Sequence, residues 1–147
     1  MEYEKTVIVN APIDKVFDFC ASPFGFEKHF PYKVCWLDKQ KKWDLGSVVE
    51  FKFCYFLIWI YWKSEITTYE KYVLFVDLMK VGFPFKYFKH HHYFTSQNKN
   101  TVYRDKIEFS LGYGSFIDKT LGTMIVNLIF TKRQQNLQEY WENYYNN

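Results

Sequence analysis

The sequence predicts an α+β chain. A curved antiparallel sheet of about six to seven strands wraps around one long C-terminal helix, and two short helices follow the first strand. Three observations carry this. Apolar and polar residues alternate through much of residues 3–111, and the alternating runs are joined by hairpin-length turns. At Phe116 the period changes from two to 3.6. The chain has 147 residues, which suits one core, so residues 1–147 are expected to form a single domain.

Tyr3 to Val9 is rich in β-branched residues and reads as the first strand. Asn10 is placed to cap a helix that begins near Pro12, with Val16, Phe17, Phe19 and Cys20 as its apolar face. Ser22 and Pro23 start a second short helix, which carries Phe24, Phe26 and Phe30 and stops before Pro31. Strands follow over Tyr32–Leu37, Ser47–Tyr55, Leu57–Tyr69, Lys71–Val81, Phe85–Ser96 and Thr101–Leu111. Asp38–Lys42 is a charged turn and Gln97–Asn100 a polar one. Beyond Gly112-Tyr113-Gly114, a stripe of Ile117, Leu121, Met124, Ile125, Leu128 and Ile129 marks the long helix. Leu137, Tyr140, Trp141 and Tyr144 extend it.

Aromatic residues make up 23% of the chain: 16 Phe, 13 Tyr and 5 Trp. A core of this size needs far fewer. The excess must enlarge the core, coat the surface or line a cavity. The net charge of +3 is too mild for a nucleic-acid partner. Cys20, Cys35 and Cys54 form no C-x-x-C pair, which argues against a disulfide framework or a thiolate zinc site. Glu2-Tyr3-Glu4-Lys5 after Met1 is no signal peptide, and the apolar run Phe53–Trp62 is too short to span a bilayer as a helix. A soluble cytoplasmic protein without an integral membrane segment is expected.

The stretch Val9-Asn10-Ala11-Pro12-Ile13-Asp14-Lys15-Val16-Phe17 is similar to the opening of the START/Bet v 1-like superfamily, also called SRPBCC, whose fold is the helix-grip. Phe75-Val76-Asp77, then Gly82, then Pro84-Phe85-x-x-Phe88-x-His90-x-His92-x-Phe94 resembles the F-V-D…G-P-F-x-x-W-x-H-x-H-x-F signature of an uncharacterised bacterial ligand-binding subgroup. Asp105 and the Phe130-x-x-Arg133 pair also fit. Phe83 is inserted between Gly82 and Pro84, Phe88 replaces the usual tryptophan, and His91 extends the histidine run. The resemblance spans essentially the whole chain and implies a ligand cavity between sheet and helix. The superfamily holds lipid carriers, hormone receptors, polyketide cyclases, ring-hydroxylating oxygenase subunits and allergens, so the fold leaves the function open.

His90 and His92 are two apart on a strand and share a face. Asp77 on the preceding strand and Asp105 on the following one are placed to meet them. The four would form either a polar patch that orients a ligand or moves protons, or a satisfied network that fixes the sheet register. His-x-His plus a carboxylate is also a metal-type spacing, but no independent third histidine accompanies it. No metal and no cofactor are expected. Arg133 is expected to pair with an acidic group on the sheet.

The first functional reading is a binding protein for one small apolar, aromatic or lipid-like ligand. Phe51, Phe53, Trp62, Phe75, Met79, Phe88, Phe94, Phe109, Met124 and Leu128 would line the apolar wall, with Asp77, His90, His92 and Asp105 as the polar part. The alternative is a cyclase or dehydratase-type enzyme that uses a His–Asp pair. A third reading, an interaction protein with a filled core, requires that no cavity of ~300 Å³ or more exist. Tyr55–Trp62, the most apolar segment, is read as cavity wall or core, with its outward rings available to an interface such as a homodimer.

Overall fold

The computed structural model describes residues 1–147. Strand β1 (Glu2–Val9) leads to helices α1 (Ile13–Cys20) and α2 (Pro23–His29). Strands β2 (Val34–Asp38), β3 (Val48–Tyr55), β4 (Ile58–Glu70), β5 (Leu74–Val81), β6 (Tyr87–Gln97) and β7 (Asn100–Ser110) follow. A single turn, α3 (Ser115–Ile117), runs through a π-helical segment, Asp118–Gly122, into the long helix α4 (Thr123–Asn146). The seven strands form one antiparallel sheet in the order β1-β7-β6-β5-β4-β3-β2. No helix is long and apolar enough to cross a membrane.

The short helices form for local reasons. Ser22 accepts the Gly25 N–H at 3.1 Å, and Pro23 presets the first helical φ. Pro12, rather than Asn10, occupies the capping position of α1, which has no side-chain cap. Gly25 is required by packing: a β-carbon there would collide with the Phe19 carbonyl.

The long helix presents a different face from the expected one. Val126, Phe130, Arg133, Gln134, Leu137 and Trp141 are buried. Leu121, Met124, Leu128 and Tyr144 are exposed. Spacings of three and four residues make the buried set one helical stripe. Two of its members are polar, which hides it from a hydropathy reading. Gly122, in the π-helical segment, lets the helix pass the Phe109 ring, whose Cε2 would lie 2.6 Å from an added β-carbon.

The β3–β4 hairpin turns on Phe56 and Leu57, both at positive φ (45° and 67°). Two-residue turns of this hand normally carry glycine or asparagine. The tip is in solvent, with Phe56 82% and Leu57 95% exposed, so this part of the Tyr55–Trp62 run is neither wall nor core.

Two apolar clusters fill the grip. The larger centres on Phe17, whose ring meets Tyr69, Tyr72, Phe75 and Phe94 edge-on at centroid distances of 4.9–5.8 Å. The smaller joins Phe85, Phe88, Ile107 and Phe109 to Val126 and Phe130 of α4. The helix packs chiefly on β1 and α2, leaving the concave face of β3–β5 less covered. Phe17→Ala should lower the unfolding free energy by about 3–5 kcal/mol, while the exposed Asp14→Ala changes it by under about 0.5 kcal/mol, both read from urea denaturation.

Candidate functional site

A cavity of about 320 Å³ lies where the two apolar clusters fail to meet. Its size runs against the filled-core reading, which allows no cavity of ~300 Å³ or more. Phe51 and Phe53 of β3, Trp62 of β4, Phe75 and Asp77 of β5, and Phe88, His90 and His92 of β6 form its sheet wall. Ile125, Leu128, Ile129, Phe130 and Arg133 of α4 form the opposite wall. Phe26 and Phe30 close it from the side of α2, where Phe26 sits 5.0 Å from the Phe51 ring and Phe30 5.6 Å from that of Phe53. Tyr55, Phe83 and Leu128 are lining residues that are also well exposed, so they mark the mouth.

Five residues expected in this wall stand off it. Phe94 is spent in the larger cluster against Phe17, and Phe109 in the smaller one against Phe85. Met79 packs beside Trp62 where the chain passes Gly82. Met124 is 53% exposed because the buried stripe of α4 runs through Val126 and Phe130 instead. Asp105 lies one layer behind the wall and reaches it through His90.

The sheet register assembles the polar part. His90 lies opposite Asp77 on one side and Ile107 on the other; His92 lies opposite Phe75 and Asp105. The short polar contacts run along the diagonals. The His90 Nε2–H donates to Asp105 Oδ1 at 2.6 Å, and His92 Nε2 lies 3.0 Å from Asp77 Oδ2. The Tyr103 O–H donates to the same Asp105 oxygen at 2.7 Å. Its one proton is thereby used, so the His92 Nδ1–H donates to the Tyr103 oxygen at 2.7 Å. Gln134 of α4 donates to Asp105 Oδ2 at 2.8 Å.

Burial raises the Asp105 carboxyl, but the His90 hydrogen bond and the nearby His90, Arg133 and His92 charges outweigh it and hold the acid far below the usual range. Asp77 is lowered in the same way: burial raises it, and the close His92 and His90 rings outweigh it. Burial, helped by the His90 charge, pushes His92 down to about 3, so this ring is neutral near pH 7. Cys20, also in the wall, is raised by burial and is no thiolate nucleophile at neutral pH.

Arg133 was expected to pair with an acidic group on the sheet. It has no carboxylate within ion-pair distance. Its Nη2 donates instead to His29 Nε2 at 2.9 Å, while the His29 Nδ1–H donates to the Gly25 carbonyl at 2.6 Å. The guanidinium lies 5.0 Å from the Phe130 ring centroid and 5.6 Å from that of Phe26. It is 6% exposed, and its Nε has no partner. Trp43, another lining residue, also keeps an unpartnered buried indole N–H. Sequence reading missed both as lining residues. Arg133 carried a signal, since it falls on one helical stripe with Phe130 and Leu137. Trp43, in a loop after a charged turn, carried none.

No family model and no curated protein matches the sequence. Solved structures do match the fold. The chain is similar to the Zhui aromatase/cyclase from Streptomyces sp. R1128, at 14% identity and TM-score 0.77, covering 97% of this chain and 93% of that one. It is similar to Ara h 8.0201, at 10% identity and TM-score 0.75, over 97% and 98% of the two chains. A START superfamily protein from Mycobacterium smegmatis matches at 10% identity and TM-score 0.69, over 95% and 98%. At such identities the likeness shows the fold alone: the chain has the START/Bet v 1-like, or SRPBCC, helix-grip fold.

Asp105→Asn puts an amide N–H₂ among three donors and should cost about 3–5 kcal/mol of stability, read as a fall in urea midpoint. Burial, then the Arg133 charge, holds His29 well below its usual range. The native state therefore keeps it neutral while the unfolded chain takes up a proton below about pH 6.5. Stability should fall between about pH 7 and about pH 5. The fall should be smaller in His29→Gln.

Proposed function

We propose that this protein binds one small, largely apolar or aromatic molecule that carries an acidic or otherwise hydrogen-bond-accepting group. The observation that supports this best is Arg133: a buried cation on the cavity wall with one hydrogen bond to protein and no carboxylate partner. A guanidinium has five N–H donors, and leaving them unmatched is costly. A ligand carboxylate, phenolate or carbonyl would supply the acceptors. The aromatic walls would supply most of the affinity through desolvated area, at about 25 cal/mol per Å² before ordering costs.

A second reading, a cyclase or dehydratase-type enzyme, is favoured by the His92–Asp77 pair on the cavity wall. Its weakness is the basicity of His92. A ring whose conjugate acid sits at about 3 is a poor proton acceptor near pH 7. The binding reading asks for no such proton transfer.

Two fluorescent probes of similar shape test the binding reading. Anionic 1-anilinonaphthalene-8-sulfonate and neutral N-phenyl-1-naphthylamine would both enter the cavity. Arg133→Gln should weaken the anionic probe by about tenfold or more and leave the neutral one within about twofold. Equal loss of both, or no binding of either, would count against the reading. Turnover of a bound molecule that is lost in His92→Ala with the fold intact would favour the enzyme.

A further inference from the structure

The contacts on the polar wall of the cavity converge on Asp77. Five close contacts link the two imidazoles, Tyr103 and the two carboxylates. These are His90 Nε2–Asp105 at 2.6 Å, Tyr103–Asp105 at 2.7 Å, His92 Nδ1–Tyr103 at 2.7 Å, His92 Nε2–Asp77 at 3.0 Å and His90 Nδ1–Asp77 at 3.5 Å. His90 Nδ1 and His92 Nε2 both turn to Asp77 Oδ2, while the other nitrogen of each ring is spent on Asp105 or Tyr103. Two imidazole nitrogens and one carboxylate oxygen, carried by adjacent strands, thus converge on one point of the cavity wall.

We propose that Asp77, His90 and His92 bind one divalent transition-metal ion at the inner wall of the cavity. One ligand atom from each residue lies within 4.8 Å of the others. Zinc bonds of about 2.0–2.1 Å in a tetrahedral set place neighbouring ligand atoms about 3.3 Å apart. The separations of 3.0 and 3.5 Å bracket that spacing. Two imidazoles and one carboxylate form a borderline donor set suited to zinc, cobalt, nickel or iron in the divalent state.

The surroundings also orient the imidazoles as a metal site requires. Each ring turns one nitrogen to Asp77 and gives its other N–H to a fixed acceptor: His90 to Asp105, His92 to Tyr103. Gln134 and Tyr103 in turn hold Asp105 in place. All three ligands line the cavity, and the Asp77 side chain keeps 15% exposure, so the ion has a path inward. Three protein ligands leave at least one coordination position toward the cavity, where an oxygen donor of a bound molecule would sit. The site stands on its own geometry and does not depend on the ligand reading above.

The test uses the whole chain without an affinity tag, stripped with a chelator. Cys35→Ser and Cys54→Ser are introduced beforehand to remove thiols that would bind metal adventitiously. Zinc titration by calorimetry should give one equivalent per chain, and cobalt(II) should give visible ligand-field bands of a four- or five-coordinate nitrogen and oxygen site. Asp77→Asn should weaken zinc by about tenfold or more, and Tyr103→Phe, which removes the acceptor of the His92 N–H, by about 10–100-fold. Circular dichroism checks that each variant is folded. The cobalt spectrum of the chain with Asp77, His90, His92 and Tyr103 intact serves if the variants are not. Absence of saturable one-to-one binding overturns the proposal, and the contacts are then bridged by protons alone. One-to-one binding that a folded Asp77→Asn variant leaves unchanged overturns it equally.

Discussion

Asp105 is fully buried, and an ionised carboxylate in that position survives only because donors reach it from three sides. His90 comes from the neighbouring strand, Tyr103 from two residues away on its own strand, and Gln134 from the long helix across the core. Gln134 also donates to the Lys5 carbonyl of β1 at 2.8 Å. One anion therefore ties the helix to the sheet and sets the rotation of α4. A hydropathy stripe would turn Met124 and Leu128 inward. The observed rotation turns in Arg133 and Gln134, because a buried anion needs partners more than another methyl group needs cover.

That rotation creates the cavity. With Gln134 drawn to Asp105, α4 lies chiefly over β1 and α2, and the concave face of β3–β5 is left without a helix on it. The aromatic excess of the sequence divides around the gap. Phe17 and Phe94 pack one side solidly, Phe85 and Phe109 the other, and Phe51, Phe53, Trp62, Phe75 and Phe88 are left facing space. Large rigid rings hold such a space open better than flexible aliphatic chains, since they cannot curl inward to fill it.

The polar groups on the wall fall into two halves. Asp77, His90 and His92 cluster on the sheet, and Arg133 on the helix carries a guanidinium with one hydrogen bond to protein. A molecule with an apolar body and oxygen atoms at one end would satisfy both halves, whether a metal ion or a proton sits at Asp77.

The class of fold is legible in local patterns of the sequence. Period-two runs joined by short turns, a switch to 3.6 at Phe116 and the Ser22-Pro23 helix start are local signals, and local physics decides them. The sequence also placed His90, His92, Asp77 and Asp105 together, because the strand period and hairpin connections constrain which side chains share a face. It did not determine which of them touch the cavity. Asp105 and Phe94 share the inward pattern of His90 and Phe88, yet they sit behind the wall or inside the core, since depth beneath a curved sheet depends on what packs opposite. The phase of α4, the exposure of the Phe56-Leu57 tip and the lack of a carboxylate partner for Arg133 emerge only in the folded chain. Each depends on contacts between residues distant in the chain, such as Arg133 with His29 or Gln134 with Asp105, and no local pattern encodes those.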